Sequence, residues 1–248
     1  MDIRVGCSGW QYASWRGRFY PATLKTAEWL EYYTTVFDTV ELNNSFYRLP
    51  EKSTFQSWRA RVPRRFAFAV KASRYLTHLK RLLTPGPPVR RLFSRVAGLG
   101  DRLGPVLYQL PGNFEIDVPR LRHLCRVLPR ARGGRELLHA IEFRHPSWYC
   151  AEVFDLLSQQ GVALCLHDKL GSAIDRPAVG PFVYVRFHGP SGMYHGGYSA
   201  RTLERWAGSL VEQHAAGRRV FAYFNNDPDA QATRDAQALR EKILKRLG

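Results

Sequence analysis

Acidic residues are scarce in this chain and cysteines are few. Its 248 residues carry 37 Lys and Arg against 21 Asp and Glu, a formal net charge of +16 at pH 7. Cys7, Cys125, Cys150 and Cys165 lie far apart and make no C-x-x-C pair, which argues against a disulfide framework or zinc knuckle and fits a reducing cytoplasm. No run approaches the ~18 apolar residues of a membrane span, and Met1-Asp2-Ile3-Arg4 does not open a secretory leader. These absences lead us to expect a soluble, cytoplasmic protein with no membrane partner. G-x-S-x-G and H-E-x-x-H are missing, so serine-hydrolase and zincin chemistry lack support. What is present, 45% hydrophobic and 23% charged residues, suits a packed globular core and excludes a disordered chain.

The positive excess is local. Between Glu51 and Arg135 stand 19 Lys and Arg against 4 Asp and Glu, while the rest of the chain holds 18 against 17. Folded as neighbouring units, this third makes a basic face suited to RNA or DNA through counterion release, with Arg120, Arg122 and Arg126 among its members. The alternative is a solvated surface.

Eight short β-branched or aromatic runs read as buried strands: residues 3–6, 39–43, 66–71, 106–110, 139–144, 162–168, 182–188 and 219–225. They start about 31 residues apart, the length of a βα unit. Helical patterns fill the intervals at 26–37, 53–62, 89–99, 118–128, 151–160, 199–216 and 227–247, the last opened by Asp227 as cap and Pro228 as first residue. Such alternation predicts an α/β fold: one single-domain (β/α)8 TIM-type barrel over residues 1–248. The segment 169–181 is too short and too rich in Gly and Pro for a helix, so the sixth βα unit should be irregular. Residues 75–88 should form a longer loop.

Active sites of such barrels lie at the C-terminal strand ends, and here those ends are polar. Period-2 pleating puts Glu41 with Asn43, Glu142 with Arg144, and Arg186 with His188 on shared sides. Facing inward, these groups with Lys71 would make a mouth where cations outnumber carboxylates, suited to a phosphate or carboxylate substrate. Lys71, Arg144 and Arg186 are the candidate anion binders, Glu142 or Glu41 the general base or acid, and His188 the proton shuttle. Trp10, Tyr12, Tyr47 and Trp148 add aromatic faces for a base or sugar, and Asn43, His78, Gln109 and Asn225 add polar contacts. The rival reading is an ion-pair network sealed by packed aromatics. Cys7 and Ser8, at the end of the first strand, include a candidate nucleophile. Gly189–Gly197 is a weak phosphate-loop signal or a lid. A divalent metal on Glu41, Glu142, His167 or Asp168, and His188 is conceivable, but the adjacent cations oppose it, and no cofactor is expected.

Several motifs coincide along the chain. They are Gly6-Cys7-Ser8-Gly9-Trp10, Val40-Glu41-Leu42-Asn43-Asn44-Ser45-Phe46-Tyr47, Phe68-Ala69-Val70-Lys71, Leu76-Thr77-His78, and Tyr108-Gln109-Leu110-Pro111. Further on stand Ile141-Glu142-Phe143-Arg144-His145-Pro146-Ser147-Trp148, Tyr184-Val185-Arg186-Phe187-His188-Gly189 and Tyr223-Phe224-Asn225-Asn226-Asp227. With them the chain resembles the YecE-like family, domain of unknown function 72, over nearly its whole length. The resemblance implies a TIM-type barrel and transfers no reaction. Three readings follow: an enzyme of hydrolase or lyase type acting on an anionic or nucleotide-like substrate, a nucleic-acid-binding protein, and a non-catalytic partner-binding scaffold.

Overall fold

The eight apolar runs form eight strands: β1 (Ile3–Ser8), β2 (Thr39–Leu42), β3 (Ala67–Lys71), β4 (Leu103–Gln109), β5 (His139–Glu142), β6 (Ala163–His167), β7 (Phe182–Phe187) and β8 (Arg219–Phe224). A computed structural model describes residues 3–169 and 176–248. Neighbouring strands follow one another in sequence around a closed barrel, with parallel ladders between β8 and β1, β1 and β2, β3 and β4, β4 and β5, β5 and β6, and β7 and β8. The near-continuous apolar content of these runs follows from this, because a parallel sheet is covered on both faces.

Among the described residues, seven α-helices of eight or more residues fill the intervals: α1 (Trp29–Val36), α2 (Lys52–Ala60), α3 (Gly86–Val96), α4 (Val118–Val127), α5 (Ala151–Gln159), α6 (Ala200–Ala215) and α7 (Gln231–Leu247). Local chemistry sets their starts. Asp117 accepts from the Arg120 N–H at 3.0 Å to cap α4, and Ser199 accepts from the Thr202 N–H at 3.1 Å to cap α6. After β6, residues 176–181 hold neither helix nor strand, in keeping with an irregular sixth unit. The remainder of that irregular connection, 170–175, lies outside the described residues.

Two local expectations need correction, and one element lies outside the sequence reading. The 75–88 loop is shorter than its prolines suggested: Tyr75–Leu79 is a π-helical turn and α3 already begins at Gly86. Pro87 and Pro88 fit its first turn, where no backbone N–H is needed. Asp227 does not cap the long C-terminal helix, because Asp229 and Ala230 adopt left-handed φ of 57° and 58° and α7 starts only at Gln231. A two-stranded hairpin pairs Ala131–Arg132 with Arg135–Glu136 across Gly133-Gly134, both at positive φ.

The chain divides into two compact units, the first comprising Met1–Glu41, Leu166–Pro177 and Phe182–Gly248, the second Leu42–Cys165 and Ala178–Pro181. The first has an aromatic core in which Tyr20 stacks on Trp29 at 4.6 Å. In the second, Trp58 and Phe68 stack, and Trp148 lies on Phe143 at 4.7 Å with an interplanar angle of 4°. Among the described residues no helix is long and apolar enough to cross a membrane.

In the first unit β1 meets β2 through a close approach at Gly6. Tyr33 Oη, from α1, donates to the Thr39 carbonyl at 3.0 Å and accepts from the Cys7 N–H at 2.8 Å. A Cβ at Gly6 would run into that same carbonyl and stand 3.0 Å from Tyr33 Oη. Gly6→Ala should therefore lower the urea midpoint, with a loss of about 1–3 kcal/mol. An unchanged midpoint would show that β1 and β2 separate there without cost.

Candidate active site

In the first unit, alternation puts Thr39 and Glu41 on one side of β2 and Tyr184 and Arg186 on one side of β7. Their polar ends meet. Glu41 accepts from Tyr184 Oη at 2.7 Å, from Arg186 Nε at 3.0 and 3.1 Å, from Arg186 Nη2 at 2.9 Å and from Ser8 Oγ. Glu41 is 0% exposed and Arg186 1%. Burial by itself raises the Glu41 carboxyl, but Arg186 and the hydrogen bonds from Ser8 and Tyr184 outweigh it and hold the group below its ordinary value.

His188 extends this line. Arg186 Nη1 lies 3.3 Å from His188 Nε2, and His188 Nδ1 lies 3.0 Å from Asp168 Oδ1. A guanidinium only donates, so these partners assign the ring proton to Nδ1 and make Nε2 the acceptor. Asp168 also accepts from the His188 backbone N–H at 2.9 Å and from Tyr198 Oη. Burial pushes the Asp168 carboxyl up, yet its bonds from His188 and Tyr198 bring it below the usual carboxylate range. Beside Asp168 and Tyr198 opens a cavity of about 590 Å³ whose walls include Lys169, Ser199, Thr202, Arg205 and Trp206. That volume holds a small molecule.

Asp227, just past β8, completes the group; the sequence offered it as a helix cap and as the close of a polar strand end, without a catalytic role. Burial raises its carboxyl to about 7 against the opposing effects of Tyr12 and Arg186, and the charge of Glu41 adds to the rise. Its Oδ1 is buried and, among the described residues, has no hydrogen-bond partner. Tyr12 Oη gives its single proton to the Ser8 carbonyl at 2.5 Å. The available signal was the polar run Asn225-Asn226-Asp227 ending a buried strand.

The second unit holds the other candidates. Glu142 accepts from Gln109 Nε2 at 2.7 Å and from Arg144 Nε, and Cys165 Sγ lies 3.9 Å away. The Lys71 ammonium sits 4.2 Å over the Phe46 ring, which His78 meets edge-on at 4.9 Å. Burial, reinforced by Lys71 and Arg74, lowers His78 to about 4, so it is neutral at pH 7.

The expected cationic surplus is smaller than the strand ends suggested, because Arg186 is committed to Glu41 and Arg144 to Glu142. Trp148 offers no stacking face: it is fully buried and its Nε1 donates to the Phe114 carbonyl at 2.6 Å. Trp10 and Asn225 are buried, Asn43 and Tyr12 half-buried, and Tyr47 is 79% exposed. Cys7 is fully buried, and burial raises its thiol well above the ordinary value, which removes it as a nucleophile. Among the described residues no group of three or more His, Cys, Asp and Glu side chains could hold a metal ion.

Removing Arg186 leaves Glu41 charged and buried without its counterion. Arg186→Met should destabilise the protein by about 3–5 kcal/mol, and Glu41→Gln in the same chain should recover much of that loss. Urea unfolding of both variants tests this, and a single variant as stable as wild type refutes it. Glu41 has a lowered folded pKa, so its contribution is present above the unfolded value and disappears as pH falls through the folded one.

Comparison with known proteins bears on the same architecture. A family described as protein of unknown function DUF72 matches residues 4–247. The UPF0759 protein YunF of Bacillus subtilis (strain 168) is 26% identical over 276 residues, covering 97% of this chain and 94% of that protein. The crystal structure of a DUF72 family protein from Thermotoga maritima MSB8 superposes with a TM-score of 0.84 at 26% identity, covering 98% of this chain and 99% of the other. D-psicose 3-epimerase from Clostridium cellulolyticum H10 superposes with a TM-score of 0.62 at 13% identity, covering 98% and 99%, a likeness of fold alone. With the match spanning almost every residue that builds the barrel and its strand ends, the chain belongs to the DUF72 family.

Proposed function

We propose that the protein is an enzyme of hydrolase or lyase type that works by acid–base chemistry on a small phosphate-bearing or otherwise anionic substrate, without a redox cofactor. The observation that carries this reading is a pair of buried carboxyls in one unit with opposite surroundings: Glu41 accepts from Ser8, Tyr184 and Arg186, whereas Asp227 Oδ1 has no hydrogen-bond partner among the described residues, so the first is lowered and the second raised. Such divergence is how a single site keeps an acid and a charged partner together at neutral pH.

The roles follow from the partners. Asp227, protonated and with an unoccupied oxygen, is the general acid. His188, held by Asp168 in the Nδ1–H tautomer, presents Nε2 as base once the weak 3.3 Å contact to Arg186 yields to substrate. Glu41 accepts from so many donors that it serves as the fixed charge orienting Ser8 and Arg186. Lys169 and Arg205 at the cavity wall supply the charge an anionic substrate calls for. Glu142 in the second unit is the remaining candidate base.

Turnover of a panel of phosphate esters and carboxylated small molecules tests the reading. Asp227→Asn and His188→Gln should each lose about 10²-fold or more in kcat/KM, and the wild-type rate should fall above about pH 7 as Asp227 ionises. Retention of both rate and alkaline limb in Asp227→Asn would remove Asp227 from the mechanism. Glu142→Gln reports separately on the second unit.

A further expectation needs no substrate. Asp227 has a folded pKa raised to about 7, so the native state binds its proton more tightly than the unfolded chain. Its stabilising effect is complete below the unfolded value and disappears as pH rises to about 7. Asp227→Asn should thus raise the thermal midpoint over wild type more at about pH 8 than at about pH 5, and a pH-independent difference would contradict a protonated Asp227.

A further inference from the structure

The basic third of the chain falls almost wholly in the second unit, which uses part of its charge internally. Arg59 and Arg102 bind Asp101, Arg95 binds Glu51, and Arg132 donates to the Phe93 carbonyl at 2.7 Å. Arg130 and Arg135 likewise donate to the carbonyls of Gln160 and Asp101. These positions flank helix ends and segments that lead into β3, β4 and β5.

The loops that leave β2, β3 and β4 differ. Arg48, Arg74 and Lys80 are exposed there, and Arg81 and Arg120 are half-buried. Aromatic rings stand between them: Lys80 lies 5.7 Å over Tyr75, and Arg81 and Arg120 lie 5.9 and 5.8 Å over Phe114. Tyr47 is 79% and Tyr75 51% exposed, and Tyr47 packs on Phe46, which His78 and Lys71 join to the β3 loop. Arg120 Nη1, from the first turn of α4, reaches the Arg81 carbonyl at 3.3 Å and so ties the β3 loop to the start of the helix that follows the β4 loop. The acids nearby are Glu115, Asp117, which is bonded to Arg120, and Glu142, bonded to Arg144.

We propose that these three loops form a docking surface for single-stranded nucleic acid, with Arg48, Arg74 and Lys80 on the phosphates and Tyr47 and Tyr75 stacking on bases. Charge complementarity selects the partner class: a solvated basic face has no use for exposed rings, whereas a strand of unpaired bases meets cations and rings in alternation. Duplex nucleic acid buries its base faces and does not fit exposed stacking rings. The surface shares no residue with the Asp227 and His188 group, so its failure and that of the acid–base reading are separate results.

Fluorescence anisotropy with labelled fifteen-nucleotide oligo(dT) and oligo(rU) tests the proposal. With three phosphates neutralised, the slope of log affinity against log salt should be about −2, or roughly a 16-fold loss from 50 to 200 mM salt. Arg74→Glu with Lys80→Glu should abolish binding. Tyr47→Ala with Tyr75→Ala should weaken it about tenfold while leaving the salt slope unchanged. Arg64→Glu with Arg65→Glu, on exposed residues that precede β3, should leave binding as in wild type. The proposal is overturned by absence of binding at 50 mM salt, or by an equal effect of the Arg64 and Arg65 reversal. It is equally overturned by indifference to the tyrosine changes, which marks a surface for any polyanion, or by an acidic peptide that binds as tightly as the oligonucleotides.

Discussion

A carboxylate with no exposure keeps its charge only where donors replace the water it has lost, and Glu41 has them from β1 and β7 at once. The fully buried pair with Arg186 constrains everything around it in the first unit. It occupies positions that barrel strands usually fill with branched aliphatic side chains. Replaced by such residues, the pair would cost the fold little, but breaking it halfway leaves a lone charge in a low-dielectric interior. Ser8, Tyr184, Arg186 and, through Arg186, His188 therefore have defined positions because one carboxylate must be satisfied.

Three carboxyls in this unit show how environment sorts identical chemistry. Glu41, surrounded by donors, lies below its ordinary value, and so does Asp168, which accepts from a histidine ring, a backbone N–H and a tyrosine. Asp227 has the burial with only Tyr12 and Arg186 to offset it, and its carboxyl rises to about 7. The difference lies in hydrogen-bond supply, since burial pushes all three the same way.

The strands were legible because parallel strands covered on both faces read as short apolar runs, and all eight appear where such runs occur. The polar residues closing those runs were legible too, as Glu41, Glu142, Arg186 and His188 show. Less was visible where two local rules compete. Prolines before α3 read as loop although its first turn accepts them, and Gly133-Gly134 carried a hairpin signal that the surrounding charge obscured. Asp227-Pro228 matched a cap motif, yet the left-handed residues behind it detach the cap from the helix. Aromatic residues were the hardest to assign, since Trp148 and Tyr47 look alike in sequence and differ completely in burial.

The sequence by itself determined the elements, their order and the barrel they close, together with the placement of its positive charge, because those follow from periodicities and compositions that neighbouring residues carry. Which arginine neutralises which carboxylate, and which acid keeps its proton, was decided only by the tertiary structure. Arg186 and Glu41 are 145 positions apart, and electrostatic energy depends on distance and burial, which no local window of the chain contains.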